Sequence, residues 1–352
     1  MKIAVYISGH GFGHLAQVAP VLNRIHAIQP DCRFLIRCSL PQTEIRARLN
    51  FNFDIEQSEV DIGVVQKNAV EEDQGASVVR MKQWVGQMDE LIRQEVELLR
   101  RFGPSLVLSN ISPLAFPAAR ALAVPGIGLA TLDWHTIYSH WMPAGDPVIR
   151  SLAGAYGACD LLLRPPMAMH MPVFTAQQHI ALIAARPVEM ANPVADNPQK
   201  KALVLFGGCG SPPYEPQALA AMDDWLFFIP GRGDDFPKNV TNIDFGSNIR
   251  PVDLMPFVDV VVCKPGYGLL SECWRTGTPI AWVERPDFPE FPMLKEWLDT
   301  SMPAAGMSRS DFRQGRWQPA LEKAVHHPNC FPANSGDGAD EAADVILSYI
   351  SR

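Results

Sequence analysis

The stretch from Val260 to Pro279, VVVCKPGYGLLSECWRTGTP, restricts the possible folds of this chain more than any other. It opens on an apolar, β-branched run of the kind that fills a strand buried on both faces. Lys264-Pro265-Gly266-Tyr267-Gly268 interrupts that run with a turn too rich in glycine to continue it. A helical pattern starts at Leu269 and stops at Gly277, with Pro279 just beyond, which is helix-stop chemistry. Strand, glycine turn and helix in this order present free backbone N–H groups at a helix N-terminus, where an anion is favoured. Ser271 and Glu272 fall in the first turns of that helix. A carboxylate only accepts hydrogen bonds, so Glu272 suits a pair of vicinal hydroxyls such as a ribose diol. An anion cradle beside a diol acceptor predicts a nucleotide ligand.

The same grammar recurs along the chain. Residues 2–7 read as a strand, Ser8 to His14 as a glycine loop, and a helix follows to about residue 28, with Leu15, Val18, Leu22 and Ile25 on one face. Strands are expected at 33–38, 106–108, 126–130 and 159–164, and a helix at 112–123. Apolar spacings of three and four from Val78 to Leu99 predict one long helix over 78–102, stopped by Gly103-Pro104. Residues 165–201 loosen into a proline-rich stretch, with the connection between two domains placed at about 192–199. The second half restarts with a strand at 202–206 and a glycine loop, Gly207 to Ser211. Strands at 225–229 and 240–245 precede the opening stretch, and a helix over about 340–351 ends the chain. Alternating strands and helices predict an α/β protein with parallel sheets covered on both faces. A length of 352 residues with 47% hydrophobic content accommodates two domains, 1–192 and 193–352, the last helix packing back on the first.

A net charge of −8 with no basic arm argues against nucleic-acid binding. No run approaches the roughly 18 apolar residues of a membrane span, although peripheral membrane contact stays open. The few apolar residues before Ser8-Gly9 do not resemble a signal peptide. The seven cysteines (Cys32, Cys38, Cys159, Cys209, Cys263, Cys273, Cys330) contain no CxxC, which predicts reduced thiols in a cytoplasmic protein and no zinc site. No Asp-x-Asp occurs, so nothing suggests a divalent ion held on paired aspartates.

The loop Gly9-His10-Gly11-Phe12-Gly13-His14 lacks the dinucleotide-binding spacing, because His14 stands where the third glycine belongs. The acidic residue expected after the second strand is also missing, since that strand ends Cys38-Ser39. NAD is therefore not expected. The loop instead places His14 at a helix N-terminus near the C-terminal edge of a parallel sheet, where ligands of such folds bind. A neutral imidazole there could serve as general base; capping the helix or filling a polar gap is the alternative. A metal site on His10 and His14 would lack further ligands. Gly207 to Ser211 reads as a phosphate contact or an ordinary turn. Glu284, Asp287 and Glu290 in ERPDFPEFPM read as sugar-hydroxyl acceptors or as a solvated loop. Trp134, His135, Tyr138, His140 and Trp141 suggest an acceptor-lining aromatic cluster or a packed loop.

Three motifs in order, Gly11-Phe12-Gly13-His14, Phe206-Gly207-Gly208-Cys209-Gly210 and Cys263 to Pro279, make the chain resemble the GT-B nucleotide-sugar glycosyltransferases. The resemblance is to the group of the peptidoglycan-precursor N-acetylglucosaminyltransferase and the UDP-glycosyltransferases. The third motif, with the later Arg-Pro-Asp-Phe-Pro-Glu-Phe-Pro, is also similar to the glycosyltransferase-like region that precedes the kinase in plant L-arabinokinases.

The resemblance implies two Rossmann-like domains facing across a cleft, the first for the acceptor and the second for the donor. It implies a cytoplasmic, inverting transferase that moves a hexosyl or N-acetylhexosaminyl group from a UDP-type sugar to a small-molecule or glycan acceptor, without metal or cofactor. By position, His14 is the catalytic base and Asn110 its partner. Glu272 holds the ribose, and Asn248 and Ile249 lie by the base. Gly13, Gly208, Lys264, Gly266, Tyr267, Gly268 and Ser271 surround the donor, and Glu290 approaches its sugar. Three departures stand out: Asn110 replaces an aspartate, Glu290-Phe291 replaces an Asp-Gln pair, and no proline follows His14. They keep open a nucleotide-sugar-binding protein without transferase activity and a UDP-sugar epimerase.

Overall fold

The computed structural model describes residues 1–193, 197–206, 213–230, 236–243, 245, 249–328, 331 and 336–350. The chain divides into two compact units. One comprises Met1–Val65, Asp73–Ala184 and Ser335–Arg352; the other comprises Gln66–Glu72 and Ala185–Asn334.

The first unit is built on β1 (Lys2–Ile7), β2 (Arg33–Cys38) and β3 (Asp54–Gln57). A short hairpin, β4 (Gln66–Asn68) and β5 (Glu71–Glu72), comes next in the chain but belongs to the second unit. The sheet is completed by β6 (Leu106–Asn110), β7 (Gly126–Leu129), β8 (Leu161–Arg164) and β9 (Gln177–His179). Its strand order is β3-β2-β1-β6-β7-β8-β9, and every pairing is parallel. The chain runs outward from β1 to β3 and then returns to lay β6 on the other side of β1. Helices from the two directions diverge there, which opens a crevice above the C-terminal ends of β1 and β6.

Alternation along β1 feeds two cores. Ile3, Val5 and Ile7 join Leu15, Val18, Leu22 and Ile25 of the helix Phe12–Ile28 and Ala342, Ala343 and Ile346 of the helix Gly338–Ile350. Ala4 and Tyr6 point the other way, against Leu99 and Ala115. Burying each large aliphatic side chain contributes roughly 1.5–3 kcal/mol. On that second face the Tyr6 hydroxyl donates to Glu95 Oε2 at 2.7 Å, and Arg37 Nε donates to the same oxygen at 3.0 Å. Arg37 also reaches the Glu56 carbonyl at 2.7 Å. Burial and the Glu95 carboxylate push the Tyr6 phenol well above its ordinary pKa.

The second unit has β10 (Lys200–Leu205), β11 (Trp225–Pro230), β12 (Val240–Ile243), β13 (Val260–Cys263), β14 (Ile280–Val283) and β15 (Ala304–Met307). The order is β12-β11-β10-β13-β14-β15, again parallel throughout, so the reversal falls between β10 and β13. Val204, Phe227, Val260 and Val262 pack with Phe312, Trp317 and Leu321, the rings of Phe312 and Trp317 being stacked at 5.3 Å. Ala69 and Val70, in the tip of the β4–β5 hairpin, join the same core. Gly277 ends the helix Tyr267–Thr276 with φ of 71°, a left-handed conformation that glycine adopts without steric cost.

The expected α/β architecture is present, with differences in detail. Residues 78–102 form two helices, Gln74–Val85 and Met88–Phe102, because the chain breaks at Gly86, the poorest helix former after proline. The expected helix over 112–123 shortens to Ala115–Ala121. Residues 165–201 hold one more strand, β9, whose QQH sequence carries no apolar signal and which pairs with β8 through Leu162 and Gln177. Among the described residues, no helix is long and apolar enough to cross a membrane. The five described cysteines are free, and all five are buried.

Glu95 and Arg37 are both nearly inaccessible, so removing one strands the other's charge in a low-dielectric site. Glu95→Ala is expected to cost about 3 kcal/mol in urea unfolding. The double variant Arg37→Met/Glu95→Leu should recover most of that loss; equal destabilisation by both would show that packing, not the stranded charge, sets the cost.

Candidate functional site

In the first unit the loop after β1 and the end of β6 meet at the strand-order reversal. Ile7 is in register with Asn110, and the Ser8 N–H donates to the Asn110 carbonyl at 2.7 Å. Gly11 enters the helix Phe12–Ile28 in an extended conformation and supplies no side-chain cap. His14 therefore lies in the first helical turn, directly over the end of β6. Its Nδ1 is 2.7 Å from Asn110 Oδ1. Asn110 Nδ2 donates to the Leu129 carbonyl at 2.5 Å and to Gln17 Oε1 at 2.7 Å. Both of its hydrogens are thus engaged, and the oxygen is the end left for His14. An amide oxygen accepts only, so Nδ1 carries the imidazole proton and Nε2 keeps its lone pair. His14 is half-buried, and desolvation lowers its pKa to about 4, the Asn110 hydrogen bond acting the other way. The ring is neutral at pH 7.

Around His14 the walls are aromatic and buried. Trp134 lies 6.0 Å from the His14 ring and 5.4 Å, edge-on, from His10. Trp134 and Tyr138 are fully buried, so they are packing for the site and offer no open face to a sugar. Within the expected aromatic cluster, His135 and Trp141 are half-buried and His140 is exposed. Asp133 caps the helix Trp134–Ser139 through Thr136, at 2.7 Å from its N–H. Asp61 accepts from the Ser8 hydroxyl at 2.8 Å, and burial raises its pKa to about 6 against that bond and the nearby Trp134 indole. Gly63 sits over His10 with φ of 55°; a Cβ there would come within 2.5 Å of the imidazole, so both conformation and space demand glycine.

In the second unit the turn after β13 occupies the equivalent reversal. Gly266, extended, opens the helix Tyr267–Thr276 without a side-chain cap, and a Cβ on it would meet no atom of the described residues within 4 Å. Lys264 is half-buried; Tyr267, Gly268, Ser271 and Glu272 are buried. Ser271 donates its hydroxyl to the Gly268 carbonyl at 3.0 Å, so that proton serves its own helix. Arg285 Nη1 reaches the Pro265 carbonyl at 3.4 Å, its guanidinium lies 4.3 Å over Phe288, and it forms a buried ion pair with Glu72 of the hairpin. Glu290 is buried at the start of the helix Phe291–Ser301, Asp287 is exposed and paired with Arg309 at 2.8 Å, and Ile249 is 37% exposed. Gly208 and Asn248 lie outside the described residues. Gly13 is exposed at the helix start beside His14.

The structure thus brings His14 and Asn110 together, and separately Lys264, Gly266, Tyr267, Gly268, Ser271 and Glu272. Two contributors escaped the sequence reading. Gln17 and Thr131 join the Asn110 network, Gln17 Nε2 donating to Thr131 Oγ1 at 3.0 Å. Gln17 was findable in principle: a polar residue three positions after His14 lies on the same helix face, amid Leu15 and Val18. The Glu72–Arg285 support had no local signal, because its partners are 213 residues apart.

No family model matches the chain. L-arabinokinase of Arabidopsis thaliana is 26% identical over 365 residues, covering 98% of this chain and 34% of that protein, so the chain spans about a third of the length of the curated relative it matches. The solved glycotransferase of kitacinnamycin superposes with a TM-score of 0.66 at 17% identity, covering 99% of this chain and 98% of that one. The spinosyn rhamnosyltransferase SpnG, complexed with thymidine diphosphate, superposes with a TM-score of 0.58 at 15% identity, covering 100% and 96%. These likenesses agree with the two parallel-sheet units described above: the chain has the GT-B fold, built from two Rossmann-like halves.

Proposed function

We propose that this chain is an inverting glycosyltransferase that moves a hexosyl or N-acetylhexosaminyl group from a UDP-type nucleotide sugar to a hydroxyl acceptor, without metal or cofactor, in the cytoplasm. The observation that carries the reading is His14: a neutral imidazole at a strand-order reversal, with Nδ1 tied to Asn110 and Nε2 left as the basic nitrogen. In the step, the acceptor oxygen attacks the anomeric carbon from the face opposite the diphosphate. The bond from that carbon to the diphosphate oxygen breaks, its electron pair leaves with the nucleoside diphosphate, and the acceptor proton passes to His14 Nε2. The second unit would hold the donor. No side chain among the described residues caps the helix that Gly266 opens, and the dipole at that N-terminus suits a diphosphate and opposes the charge that develops on it as it leaves. The space over Gly266, clear of the described residues, suits close approach of that group, and the buried Glu272 suits the ribose hydroxyls.

A second reading, nucleotide-sugar binding without transfer, is favoured by one feature. Asn110 places no negative charge beside the imidazolium that proton transfer creates, and burial opposes that charge as well. Donor binding with neither transfer nor hydrolysis across a broad acceptor panel would select it.

UDP at a hundredfold excess over its Kd should stabilise the protein by about 2.7 kcal/mol, read as a rise in Tm, and Glu272→Ala should remove the rise. Because Glu272 is assigned to a diol, thymidine diphosphate, which lacks the 2′-hydroxyl, should give a smaller shift; no shift with UDP would reject the donor assignment. His14→Ala should keep the UDP shift and lower transfer by about 10²–10⁴. The pH profile carries a sign. A base must be neutral to act, and His14 is protonated only near pH 4, so kcat/KM should stay level from about pH 8 down to about 5.5 and fall below that. An acid limb near 6.5, the ordinary imidazole value, would contradict the desolvated base.

A further inference from the structure

Gln17 is 3% exposed on a helix whose other inward residues are mostly apolar, and a buried amide is retained only where its hydrogen bonds are met. Its two ends face different partners. Nε2 donates to Thr131 Oγ1 at 3.0 Å, and Oε1 accepts from Asn110 Nδ2 at 2.7 Å. Asn110 in turn directs Oδ1 at His14 Nδ1. Thr131 and Asn110 are also buried, at 2% and 0% exposure, so water does not relieve a mismatch.

We propose that Gln17 is a positioning residue that, together with the Leu129 carbonyl and acting through Asn110, sets which ring nitrogen of His14 carries the proton. The proposal rests on the reading of His14 as the base. Each primary amide has one accepting and one donating end, so orientation passes along the chain. If Gln17 turned over, its Nε2 would meet Asn110 Nδ2, donor against donor. If Asn110 turned over in response, Nδ2 would face His14 Nδ1, the proton would move to Nε2, and the nitrogen facing the reaction would have no lone pair. The Leu129 carbonyl also holds Asn110, at 2.5 Å, so Gln17 shares the task and its loss yields a mixture of tautomers. An aspartate at position 110 would present an acceptor whichever way it turned; with Asn110 the orientation has to be imposed from behind.

The test reads the tautomer directly and activity separately. Long-range ¹H–¹⁵N correlation on uniformly labelled protein at pH 7, with the His14 signals assigned by their loss in His14→Ala, should show a protonated Nδ1 and an unprotonated Nε2. Gln17→Met, which keeps the shape and removes both hydrogen bonds, should move both nitrogens toward the averaged values of a mixture. It should also lower kcat about tenfold, with KM for the donor unchanged; an enzyme locked in the wrong tautomer loses about 10⁴. Gln17→Glu should restore the wild-type pattern and most of kcat, because a carboxyl group, ionised or not, presents an acceptor to Asn110. Gln17→Leu, which also removes both hydrogen bonds, should reproduce the Gln17→Met shift and serves if Gln17→Met fails to fold. Wild-type protein with the proton on Nε2, or unchanged nitrogen shifts in a folded Gln17→Met or Gln17→Leu, would overturn the proposal. Shifts that move as expected in a protein that transfers no sugar would uphold the orienting chain and reject the transferase reading.

Discussion

Parallel pairing of β1 with β6, and of β10 with β13, is the constraint on which the candidate site of each unit depends. In each sheet the chain leaves the central strand in one direction and resumes on its other side. Ligands of open parallel sheets bind at such a reversal, beyond the carboxyl ends of the strands. In the first unit the register of Ile7 with Asn110 brings the polar end of β6 under the first turn of the helix that carries His14. A slip of one residue would turn the Asn110 side chain to the opposite face. In the second unit the same topology presents the Gly266 turn, with the N-terminus of a buried helix behind it. The chemistry is local, but its placement is a property of sheet order.

The two polar clusters of the first unit use burial in opposite ways. Glu95 and Arg37 are taken out of water as a charged pair and satisfied by Tyr6 and a backbone carbonyl, so the cluster is structural. Around His14 the network is built from neutral amides and a hydroxyl. Desolvation disfavours the protonated imidazole, and Asn110 supports it only with a neutral amide oxygen. The cost falls on orientation, because an amide has a right and a wrong way round where a carboxylate has two equivalent oxygens. In the second unit the buried Arg285 supports the turn through the Pro265 carbonyl, with its charge matched by Glu72 from a hairpin that comes early in the chain.

The elements that carry glycine were readable because glycine and proline act within a few residues. The loop after β1 and the turn at Gly266 both fall between strand and helix, with the helices starting at least two residues earlier than expected, at Phe12 and Tyr267. Reading failed where the signal was weak or shared. The spacing from Val78 to Leu99 continues across Gly86, but the backbone does not, since periodicity records facing and not continuity. The polar strand β9 is held by its neighbour β8 and has no pattern of its own. The aromatic residues after β7 were readable as a cluster, yet only burial shows that Trp134 and Tyr138 belong to the core.

By itself the sequence determined that this is an α/β chain of two similar halves, that glycine turns at Gly11 and Gly266 separate a strand from a helix, and that His14 and Glu272 lie in the helices that follow. Those properties follow from local backbone preference and apolar periodicity, which act over a handful of residues. Tertiary structure alone decided that Asn110 turns its oxygen to His14, that Gln17 and Thr131 stand behind it, and that Glu72 neutralises Arg285. These contacts join residues from 93 to 213 positions apart, and around His14 they arise because the strand order places their elements side by side. Hydrogen-bond direction depends on every neighbour at once, and so it is settled only when the sheet has closed around the site.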